Sequence, residues 1–457
     1  MKLVNVKRLR PSTSLLSRSS RQEIESDRGR VLFSAPLRRL QRKAQVFSLE
    51  SNAAVRSRLT HSMEVSHVGR YIVQKVREKA LVDQRNEFAE QCLEIETIVE
   101  TACLLHDIGN PPFGHLGEKA IQNWFKSNAK KLYAIATNGG QLDAASGHYL
   151  DFVNFDGNPQ GVRICVSLQG LPGNYGFNLT YSLLGAILKY PKSSSDCMQQ
   201  YSKIGVFQTE LDAIKSVWRE EGLVWGERNK LVYLMEAADD IAYSLSDIED
   251  GIEKKIVDER SVLEQFESRF ADENIAEYRK MAESALKGGV TSPFVSFRTS
   301  MINSLVGSAA GAFYKILDEE NVVKKSLLAG SDEEKVLKII GDFCKENLYR
   351  SPEAEDIEIA GYNIVHGLLE KFSVLLELSE CQFSRLVEQS KGPDLCRRMF
   401  SKLPNSLVDQ YRYAVKMDGQ NEWYHRVRLV IDYVCGMTDD FSLKVYRLLH
   451  GISVETI

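Results

Sequence analysis

Histidine and aspartate side chains that could together hold a metal ion occur in three separated stretches of this 457-residue sequence. Neutral imidazole and carboxylate groups are good ligands for Mg, Mn, Fe and Zn ions. An adjacent His-Asp pair alone is weak evidence, because such a pair arises by chance in many chains of this length. Here an upstream histidine and a downstream aspartate in an apolar setting accompany the pair, and this combination predicts a metal site. The three stretches are HSMEVSHVGR at 61–70, LLHDIGNPPFGHLGE at 104–118 and EAADDIAYSLSD at 236–247.

Helical periodicity predicts the elements that position these residues. In the second stretch, apolar residues at helical spacing lead to the His-Asp pair, and the sequence GNPP then ends that helix abruptly. In the third stretch, Asp239, Tyr243 and Asp247 are spaced so that they line one stripe of one helix. Alternating patterns are scarce, and residues 162–167 are the best strand candidate. We therefore expect an all-α fold with irregular loops and a helical C-terminal lobe.

A second histidine in the 104–118 stretch precedes a carboxylate at helical spacing. His115 and Glu118 are neighbours if this segment is helical, because residues three apart meet on a helix surface. A carboxylate beside an imidazole fixes its orientation and raises its basicity, which suits general acid–base chemistry near neutral pH. Taken alone, the pair is more typical of an ordinary N-terminal helical turn.

Composition and charge narrow the class of protein. The chain is 43% hydrophobic and 26% charged, which is ordinary for a protein that buries a core. Its formal net charge of −4 argues against a protein that coats nucleic acid. The longest apolar runs end well short of the roughly 20 residues that a transmembrane helix needs, so we expect no membrane partner. One local exception is a basic stretch beside the first motif: Arg28, Arg30, Arg38, Arg39, Arg42 and Lys43.

The N-terminus and the cysteines indicate the compartment. Residues 1–25 are basic and Ser-rich but lack the apolar block of a secretory signal, so we expect a short surface arm there. A mitochondrial transit peptide is the alternative, because the first acidic residue is Glu23. The eight cysteines form no CxxC pair and fall mostly in apolar helical stretches, which is typical of reduced core thiols. We therefore expect a cytoplasmic protein.

Several longer motifs surround these residues and carry a resemblance to a known family. They are RRLQRKAQVF (38–47), RSRLTHSMEV (56–65), ACLLHDIGNPPFGHLGE (102–118), NFDGNPQGVR (154–163), NLTYSLLGAILKYPK (178–192), YLMEAADDIAYSLSDIED (233–250) and HRVRLVIDYVCGMTDDFSLKVYRLL (425–449). Over nearly its whole length, the chain resembles the HD superfamily and, within it, the deoxyguanosine triphosphate triphosphohydrolase family. The resemblance implies a single unit over 1–457, with an HD metal-binding helical core at about 55–255 and the helical C-terminal lobe at about 256–457.

The resemblance also assigns the metal site and the acid–base pair. It implies one divalent metal ion per subunit, with Mn, Mg and Fe as the candidate metals. Asp240 is the rival of Asp239, and Asp239 is favoured because the family's ligand lies four residues before a tyrosine, here Tyr243. His115 becomes the general base, or the group that orients the attacking water, with Glu118 as its partner. The implied metal ligands are His61, His106, Asp107 and Asp239.

The implied reaction is hydrolysis between the 5′-oxygen and the α-phosphorus of a deoxynucleoside triphosphate, with dGTP preferred. It gives a deoxynucleoside and tripolyphosphate, and it would serve to control the dNTP pool. The candidate phosphate-binding residues are Arg58, Asn158, Lys189, Tyr190 and Lys203. The candidate sugar-binding residues are Gln45, Val46, Tyr243 and Asp247. Arg426 or Arg428 is a further candidate, which would help to complete a pocket.

The family resemblance further implies a homo-oligomer, either a hexamer or a tetramer, and a nucleotide or single-stranded DNA as an effector. Two other functions stay open on the residues alone. One is another HD activity, a nucleotide phosphatase or a phosphodiesterase, which would keep the metal ligands. The other is a nucleotide-sensing or single-strand-binding regulator without catalysis. The complete ligand set argues against the regulator, because degenerate sites usually lose a ligand first.

Overall fold

Helices account for nearly all regular structure in the computed structural model, which describes residues 3–12, 17–319, 322 and 325–452. Across these ranges no strand forms, and extended backbone pairs only at three isolated bridges, such as Arg8 with Thr180 and Ala44 with Ser57. The predicted all-α class is therefore confirmed.

The described part of the first 253 residues contains ten α-helices. They are α1 (Ser20–Leu32), α2 (Ala35–Arg39), α3 (Arg58–Val82), α4 (Asn86–Leu105), α5 (Gly114–Ala136), α6 (Gly147–Val153), α7 (Gly157–Arg163), α8 (Tyr181–Ile187), α9 (Gln208–Glu220) and α10 (Lys230–Glu253). A short 3-10 helix, Leu40–Arg42, follows α2, and a π-helix, Ile164–Leu168, continues α7.

Ten further α-helices follow in the described residues after position 253. They are α11 (Glu259–Asp272), α12 (Ala276–Leu286), α13 (Pro293–Ile316), α14 (Asp332–Asn347), α15 (Pro352–Leu376), α16 (Glu380–Gln389), α17 (Asp394–Phe400), α18 (Asn405–Met417), α19 (Glu422–Cys435) and α20 (Asp439–Leu449). A 3-10 turn, Gly419–Asn421, precedes α19.

The centre of the fold is the packing of α3 against α4 and α10. Helix α3 starts at a capping box, in which the Ser57 side chain accepts from the Thr60 backbone N–H, and its apolar residues recur at helical spacing along one buried face. Gly69 lets α4 approach closely, since a Cβ there would lie 2.8 Å from Cys103 Sγ. Each large apolar side chain buried here contributes roughly 1.5–3 kcal/mol. These three helices are the ones that carry the predicted metal ligands.

Buried apolar side chains form two clusters that interleave along the sequence. The first joins α1, α3, α4, α8 and α9 to α10 and continues through α14. The second joins α5 and α6 to α15 and the helices that follow it. The division at about residue 256 that the sequence suggested does not coincide with the division of the core, because α11 to α14 pack with the HD helices. Within the lobe, α15 packs instead on α5, and its Gly361 lies against Phe113 of the GNPPFG turn.

The N-terminal segment corrects the expectation of a surface arm at 1–25. Leu3 and Val4 are buried in the first cluster, and the buried Arg8 guanidinium donates to Asp27 Oδ1 and to the Asn178 carbonyl. The segment is therefore part of the core, and α1 begins at Ser20. Residues 1, 2 and 13–16 of the expected arm lie outside the described residues.

The strand expected at 162–167 is wrong. These residues end α7 and form the π-helix Ile164–Leu168. Asp156 starts α7 by accepting from the Asn158 backbone N–H, which favours helix from that point. Because Ile164, Cys165 and Val166 are all buried, their burial does not alternate, and the apparent strand period had no physical basis.

The GNPPFG turn that follows the His-Asp pair is held from two sides. Phe113 adopts a left-handed backbone with φ of 59°, its N–H donates to Asp439 Oδ1 at 3.1 Å, and its ring packs on Gly361 of α15. On the other side, a Cβ at Gly109 would overlap the carbonyl oxygen of Gly157 at the start of α7. The turn therefore depends on elements distant in sequence.

The length of the helices and the burial of the cysteines bear on two further expectations. Within the described ranges, no helix is long and apolar enough to cross a membrane. All eight cysteines are free thiols, and six of them are buried, so the core-thiol interpretation holds for those six. Cys197 and Cys381 are exposed.

We predict that Gly109→Ala lowers the free energy of unfolding by about 1–3 kcal/mol, the usual cost of overpacking. The added methyl group must push the turn away from Gly157. The matched control is Gly307→Ala in α13, where a Cβ meets nothing within 4 Å and the better helix propensity of alanine should stabilise slightly. Urea unfolding of both variants provides the measurement, and equal stabilities would contradict the close approach.

Candidate active site

Three predicted metal ligands converge where α3, α4 and α10 meet. His61 lies in the first turn of α3, His106 directly follows α4, and Asp239 lies in the middle of α10. Asp239 Oδ1 is 3.2 Å from His61 Nε2 and 3.4 Å from His106 Nε2. One ligand atom from each residue lies within 4.8 Å of the other two. The structure thus brings together side chains that are 178 positions apart in the case of His61 and Asp239.

The two imidazoles are oriented so that a cation could bind between them and Asp239. His106 Nδ1 is 2.7 Å from the Cys103 carbonyl oxygen, which can only accept, so Nδ1 carries the proton. With Nδ1 committed to this bond, Nε2 is the ring nitrogen that faces the Asp239 carboxylate, and it is free to bind a cation there. His61 is fully buried, and its Nδ1 has no partner among the described residues. The donor set of two Nε2 atoms and a carboxylate suits a divalent metal ion.

Asp239 rather than Asp240 belongs to this group. Burial opposes ionisation of Asp239, but His106 and then Lys189 outweigh it and hold the pKa of this carboxyl well below its usual range. Lys189 Nζ lies 3.2 Å from Asp239 Oδ2. Asp240 is exposed and is not part of the cluster. The geometry favours the choice that the resemblance suggested.

Asp107 lies at the edge of the cluster. Its Oδ1 is 3.6 Å from His106 Nε2 and accepts from Asn110 Nδ2, while its Oδ2 accepts from Arg58 at 2.6 Å. Burial raises the pKa of Asp107, but the charges of Arg58 and His106 dominate and lower it to about 2. Asp107 is therefore ionised and adjacent to the other ligands, and its role as a fourth ligand stays a prediction.

The predicted acid–base pair is formed in the first turn of α5. His115 Nδ1 lies 3.0 Å from Glu118 Oε2, and Glu118 Oε1 accepts from the Gly157 backbone N–H at 2.7 Å. The Glu118 side chain is buried, whereas that of His115 is 66% exposed. Glu118 is therefore held between α5 and α7, and it orients an imidazole that is largely exposed.

The candidate phosphate-binding residues surround the same region, and each cation already has a carboxylate partner. Lys203 Nζ is 2.7 Å from Asp156 Oδ2, and Asn158 Nδ2 donates to Asp156 Oδ1. Lys189 pairs with Asp239, and Arg58 pairs with Asp107, as described above. Tyr190 directly follows Lys189, and its ring lies 6.0 Å from the Tyr201 ring. Arg58 and Lys189 therefore contact metal ligands, whereas Asn158 and Lys203 contact Asp156, and the phosphate-binding role of all five candidates stays a prediction.

The candidate sugar-binding residues lie in two places, the segment before α3 and the helix α10. Gln45 and Val46 are half-buried in the segment that precedes α3, and Gln45 Oε1 is buried without a partner among the described residues. The Tyr243 ring lies 6.2 Å from the His61 ring. Asp247, one turn further along α10, is fully buried, and its Oδ1 has no hydrogen-bond partner in the described part of the chain.

Tyr349 is a residue that the sequence interpretation missed. It follows α14, and its hydroxyl donates to Asp247 Oδ2 at 2.5 Å and lies 2.8 Å from the Tyr243 hydroxyl. Burial raises the pKa of Asp247 to about 7, and the Tyr349 hydrogen bond opposes this rise. No motif marks Tyr349, because it lies 102 residues after Asp247 in an otherwise ordinary segment.

Two supporting residues were also missed, although both fall in quoted motifs. Asp439 at the start of α20 accepts from the backbone N–H of Ala44 and of Phe113, at 3.0 and 3.1 Å. The buried Lys43 ammonium donates to the carbonyls of Asn110 and Cys435. The C-terminal lobe thereby ties the Gln45 segment to the turn that carries the His-Asp pair.

Arg426 and Arg428 are placed differently from the expectation that they help to complete a pocket. Both guanidinium groups are buried in the lobe, each residue being 1% exposed. Arg426 donates to Glu422 and to two carbonyls, and Arg428 donates to Gln160 and lies 3.8 Å above the Phe207 ring. Helix α19 is buried on all sides, so within one chain both guanidinium groups lie inside the lobe, and their contribution to a pocket stays a prediction.

Family models match two parts of the chain. The HD domain matches residues 58–146, which contain His61, His106, Asp107 and the pair His115–Glu118. The phosphohydrolase-associated domain matches residues 388–448, which contain Asp439.

Curated relatives resemble the chain over almost its full length. A protein of Pseudomonas aeruginosa named probable deoxyguanosinetriphosphate triphosphohydrolase is 36% identical, over 94% of this chain and 93% of its own. Proteins named deoxyguanosinetriphosphate triphosphohydrolase from Serratia proteamaculans and Yersinia enterocolitica are each 34% identical. The match covers 94% of both chains for the first and 93% of both for the second.

We predict that Asp239→Asn abolishes binding of a divalent ion, because the amide removes the charge on which both imidazoles converge. The neighbouring Asp240→Asn is the matched control, since it makes the same change at an exposed position of the same helix. Metal content of the two purified variants, measured after loading with Mn²⁺, provides the test. Equal metal content would contradict the assignment of Asp239.

Proposed function

The chain belongs to the deoxyguanosinetriphosphate triphosphohydrolase family, and we propose that it hydrolyses deoxynucleoside triphosphates, with dGTP preferred, to a deoxynucleoside and tripolyphosphate. The observation that carries the proposal is the convergence of His61, His106 and Asp239 in a chain that is similar to triphosphohydrolases over 94% of its length. His61 and His106 lie in the region that matches the HD domain, and Asp239 lies between the two matched regions. The proposed role of the enzyme is control of the dNTP pool.

One divalent ion per subunit, of Mn, Mg or Fe, would be held by His61, His106, Asp107 and Asp239. When bound, such an ion supplies positive charge that stabilises the charge developing on the α-phosphoryl group. The protein prepares for this by fixing the ligands beforehand: Cys103 sets the tautomer of His106, and Arg58 and Asn110 hold Asp107. Few rearrangements are then needed when the ion binds.

His115 is proposed to take the proton of the attacking water at Nε2. The Nδ1–H that it donates to Glu118 leaves the Nε2 lone pair facing outward, and the buried carboxylate stabilises the imidazolium that forms. Glu118 cannot turn away, because its other oxygen accepts from the Gly157 N–H. Glu118 is in this sense a positioning residue, which acts through His115.

Arg58, Lys189 and Lys203 are proposed to bind the triphosphate with Asn158 and Tyr190. Each of the three cations is held in place by a carboxylate, so the positive groups are oriented before the substrate arrives. Gln45, Val46, Tyr243 and Asp247 are proposed to bind the sugar. The buried carboxyl of Asp247 would accept from the 3′-hydroxyl at Oδ1, the oxygen that has no partner among the described residues.

Assembly, regulation and location belong to the same proposal. We propose a homo-oligomer, a hexamer or a tetramer, and a nucleotide or single-stranded DNA as an effector, both on the family resemblance. We propose the cytoplasm as the location, because the eight cysteines form no disulfide and six of them are buried thiols.

We predict that tripolyphosphate is the first product of dGTP hydrolysis, because water attacks the α-phosphorus and the bond to the 5′-oxygen breaks, which leaves the three phosphates joined. In H₂¹⁸O, attack at the α-phosphorus places the label in tripolyphosphate and leaves none in deoxyguanosine. Ion chromatography and mass spectrometry of the products provide the measurement. Asp239→Asn, assayed in parallel, controls for contaminating activity.

Release of orthophosphate or pyrophosphate as the first product would instead indicate a different HD phosphohydrolase. The absence of hydrolysis with all four dNTPs, in protein that retains stoichiometric metal, would favour a regulator without catalysis.

We predict that His115→Ala lowers kcat at least about a hundredfold, the usual share of a positioned acid–base group, without changing metal content. Glu118→Gln should lower kcat less, since an amide still orients the ring but does not stabilise its cation. The matched control is His67→Ala, which removes an exposed histidine from α3 that contacts Tyr71 rather than the metal ligands. Loss of metal in His115→Ala would make His115 a ligand, and unchanged kcat would remove its proposed role.

A further inference from the structure

The proposed sugar-binding residues belong to separate parts of the chain, and the distance between those parts must be set by other contacts. Gln45 and Val46 precede α3, whereas Tyr243 and Asp247 lie on α10. A ribonucleotide differs from a deoxyribonucleotide by one 2′-hydroxyl, so a pocket excludes it only if its walls keep a close and constant spacing. A residue that sets this spacing therefore influences substrate selection without touching the substrate.

Lys254 contacts several of these parts at once. It directly follows the last residue of α10, and its ammonium reaches three groups from outside that helix. The nitrogen lies 5.0 Å from the centre of the Phe47 ring, pairs with Glu50 Oε2, and lies 2.7 Å from Glu353 Oε1. An ion pair on an open surface contributes little, but the Lys254 side chain is only 9% exposed, so its partners largely replace water around it.

The groups around this ammonium lie next to the proposed sugar-binding residues. Phe47 directly follows Val46 and is 1% exposed, so the position of its ring determines where the backbone of Val46 lies. The ammonium itself is carried by α10, about two helical turns beyond Asp247. Glu353 lies in the first turn of α15, four positions after Tyr349. One side chain therefore joins three segments that are distant in sequence.

Helix α10 and the residues after α14 already form one wall. The Tyr349 hydroxyl donates to Asp247 Oδ2 and lies 2.8 Å from the Tyr243 hydroxyl. A Cβ at Gly251 would overlap the Leu348 side chain, so this glycine lets the residue before Tyr349 pack directly on α10. The opposite wall is the segment that precedes α3, and it needs a contact of its own with α10.

That segment is held at both of its ends. The Ala44 N–H donates to Asp439 Oδ2 at 3.0 Å, and the Arg56 guanidinium donates to Asp250 Oδ1 at 2.6 Å. Between these two anchors, Lys254 contacts the aromatic ring and the carboxylate that follow the sugar-binding pair. The middle of the segment is thereby tied to the end of α10.

Removal of the ammonium would loosen this tie. Glu50 and Glu353 would remain as like charges that repel each other, and the Phe47 ring would lose its cation. Asn52 Nδ2 also donates to Glu253 Oε1 at 3.2 Å, but both groups are exposed, and such a bond contributes little. We therefore expect the segment to move away from α10.

We propose that Lys254 is a positioning residue that holds Gln45 and Val46 at a fixed distance from α10 and thereby enforces the selection of deoxyribose over ribose. Lys254 acts through Phe47 and Glu50 and does not contact the substrate. Its role in selectivity rests on the proposed function, whereas the tether between α10 and the segment does not.

The selectivity is tested with Lys254→Met in the metal-loaded full chain, because methionine retains an unbranched side chain but removes the charge. Equimolar dGTP and GTP compete in one reaction, with enough enzyme for the parent to form measurable guanosine, and mass spectrometry quantifies deoxyguanosine and guanosine. The ratio of the initial rates equals the ratio of the two kcat/KM values, and an effector action of either nucleotide affects both substrates alike. We expect this ratio to fall at least about fivefold, since a misplacement of about 1 Å can cost about a hundredfold in rate.

Two variants serve as controls. Lys254→Arg keeps a cation that can pair with both carboxylates and stack on Phe47, so it should retain most of the selectivity of the parent. Lys255→Met makes the same change at the neighbouring exposed lysine and should leave the ratio unchanged. Equal ratios in Lys254→Met and Lys255→Met, with dGTP turned over, would overturn the role in selectivity and leave the proposed function standing.

Hydrogen–deuterium exchange tests the tether independently of activity. We expect the backbone amides of residues 44–52 to exchange faster in Lys254→Met than in the parent and Lys255→Met, with no change in α4. Equal exchange in all three proteins would overturn the tether and the selectivity with it. If the parent retains metal but hydrolyses no dNTP, the proposed function fails and the role in selectivity falls with it, while faster exchange at 44–52 still supports the tether.

Discussion

Two imidazoles and a carboxylate point at one another in this protein, and a positive charge between them stabilises the arrangement. The His106 Nδ1 proton is committed to the Cys103 carbonyl, so its Nε2 faces Asp239 Oδ1 at 3.4 Å. Removing such groups from water is costly unless they are paired or bind a metal. The arrangement stands only because α3, α4 and α10 pack tightly enough to oppose this cost, with Gly69 allowing the close approach of α3 and α4.

The cations around this centre are likewise paired with groups of opposite charge. Arg58, Lys189 and Lys203 are each bonded to a carboxylate, so the positive groups that face the proposed triphosphate are oriented in advance. A site whose charges are already in place spends little energy on reorganisation during the reaction. The triphosphate must then share these cations with Asp107, Asp239 and Asp156, two of which are proposed to bind the metal ion as well. Metal and substrate binding are therefore expected to favour each other.

The C-terminal lobe stabilises a site whose proposed metal ligands all precede it in the chain. Phe113 holds a left-handed conformation that costs energy for a residue with a bulky side chain. Asp439 compensates by accepting its N–H, and Gly361 leaves room for its ring. Because Asp439 also accepts from Ala44, one carboxylate fixes both the catalytic turn and the segment that carries Gln45. The two hydrophobic clusters meet at this junction.

The sequence by itself determined the helical class, the metal-binding residue types and the pair His115–Glu118, because each depends on short-range spacing along a helix. The residues alone did not distinguish Asp239 from Asp240 as the ligand, and the choice rested on the family resemblance. Only the packing of α10 shows that Asp239 faces the imidazoles and that Asp240 faces solvent. Tyr349, Asp439 and the burial of Arg426 and Arg428 were decided by tertiary structure alone. Their contacts join residues far apart in the chain, and no local pattern records which distant surfaces will meet. The strand expected at 162–167 was wrong because the local sequence does not record the contacts that bury this helical segment on all sides.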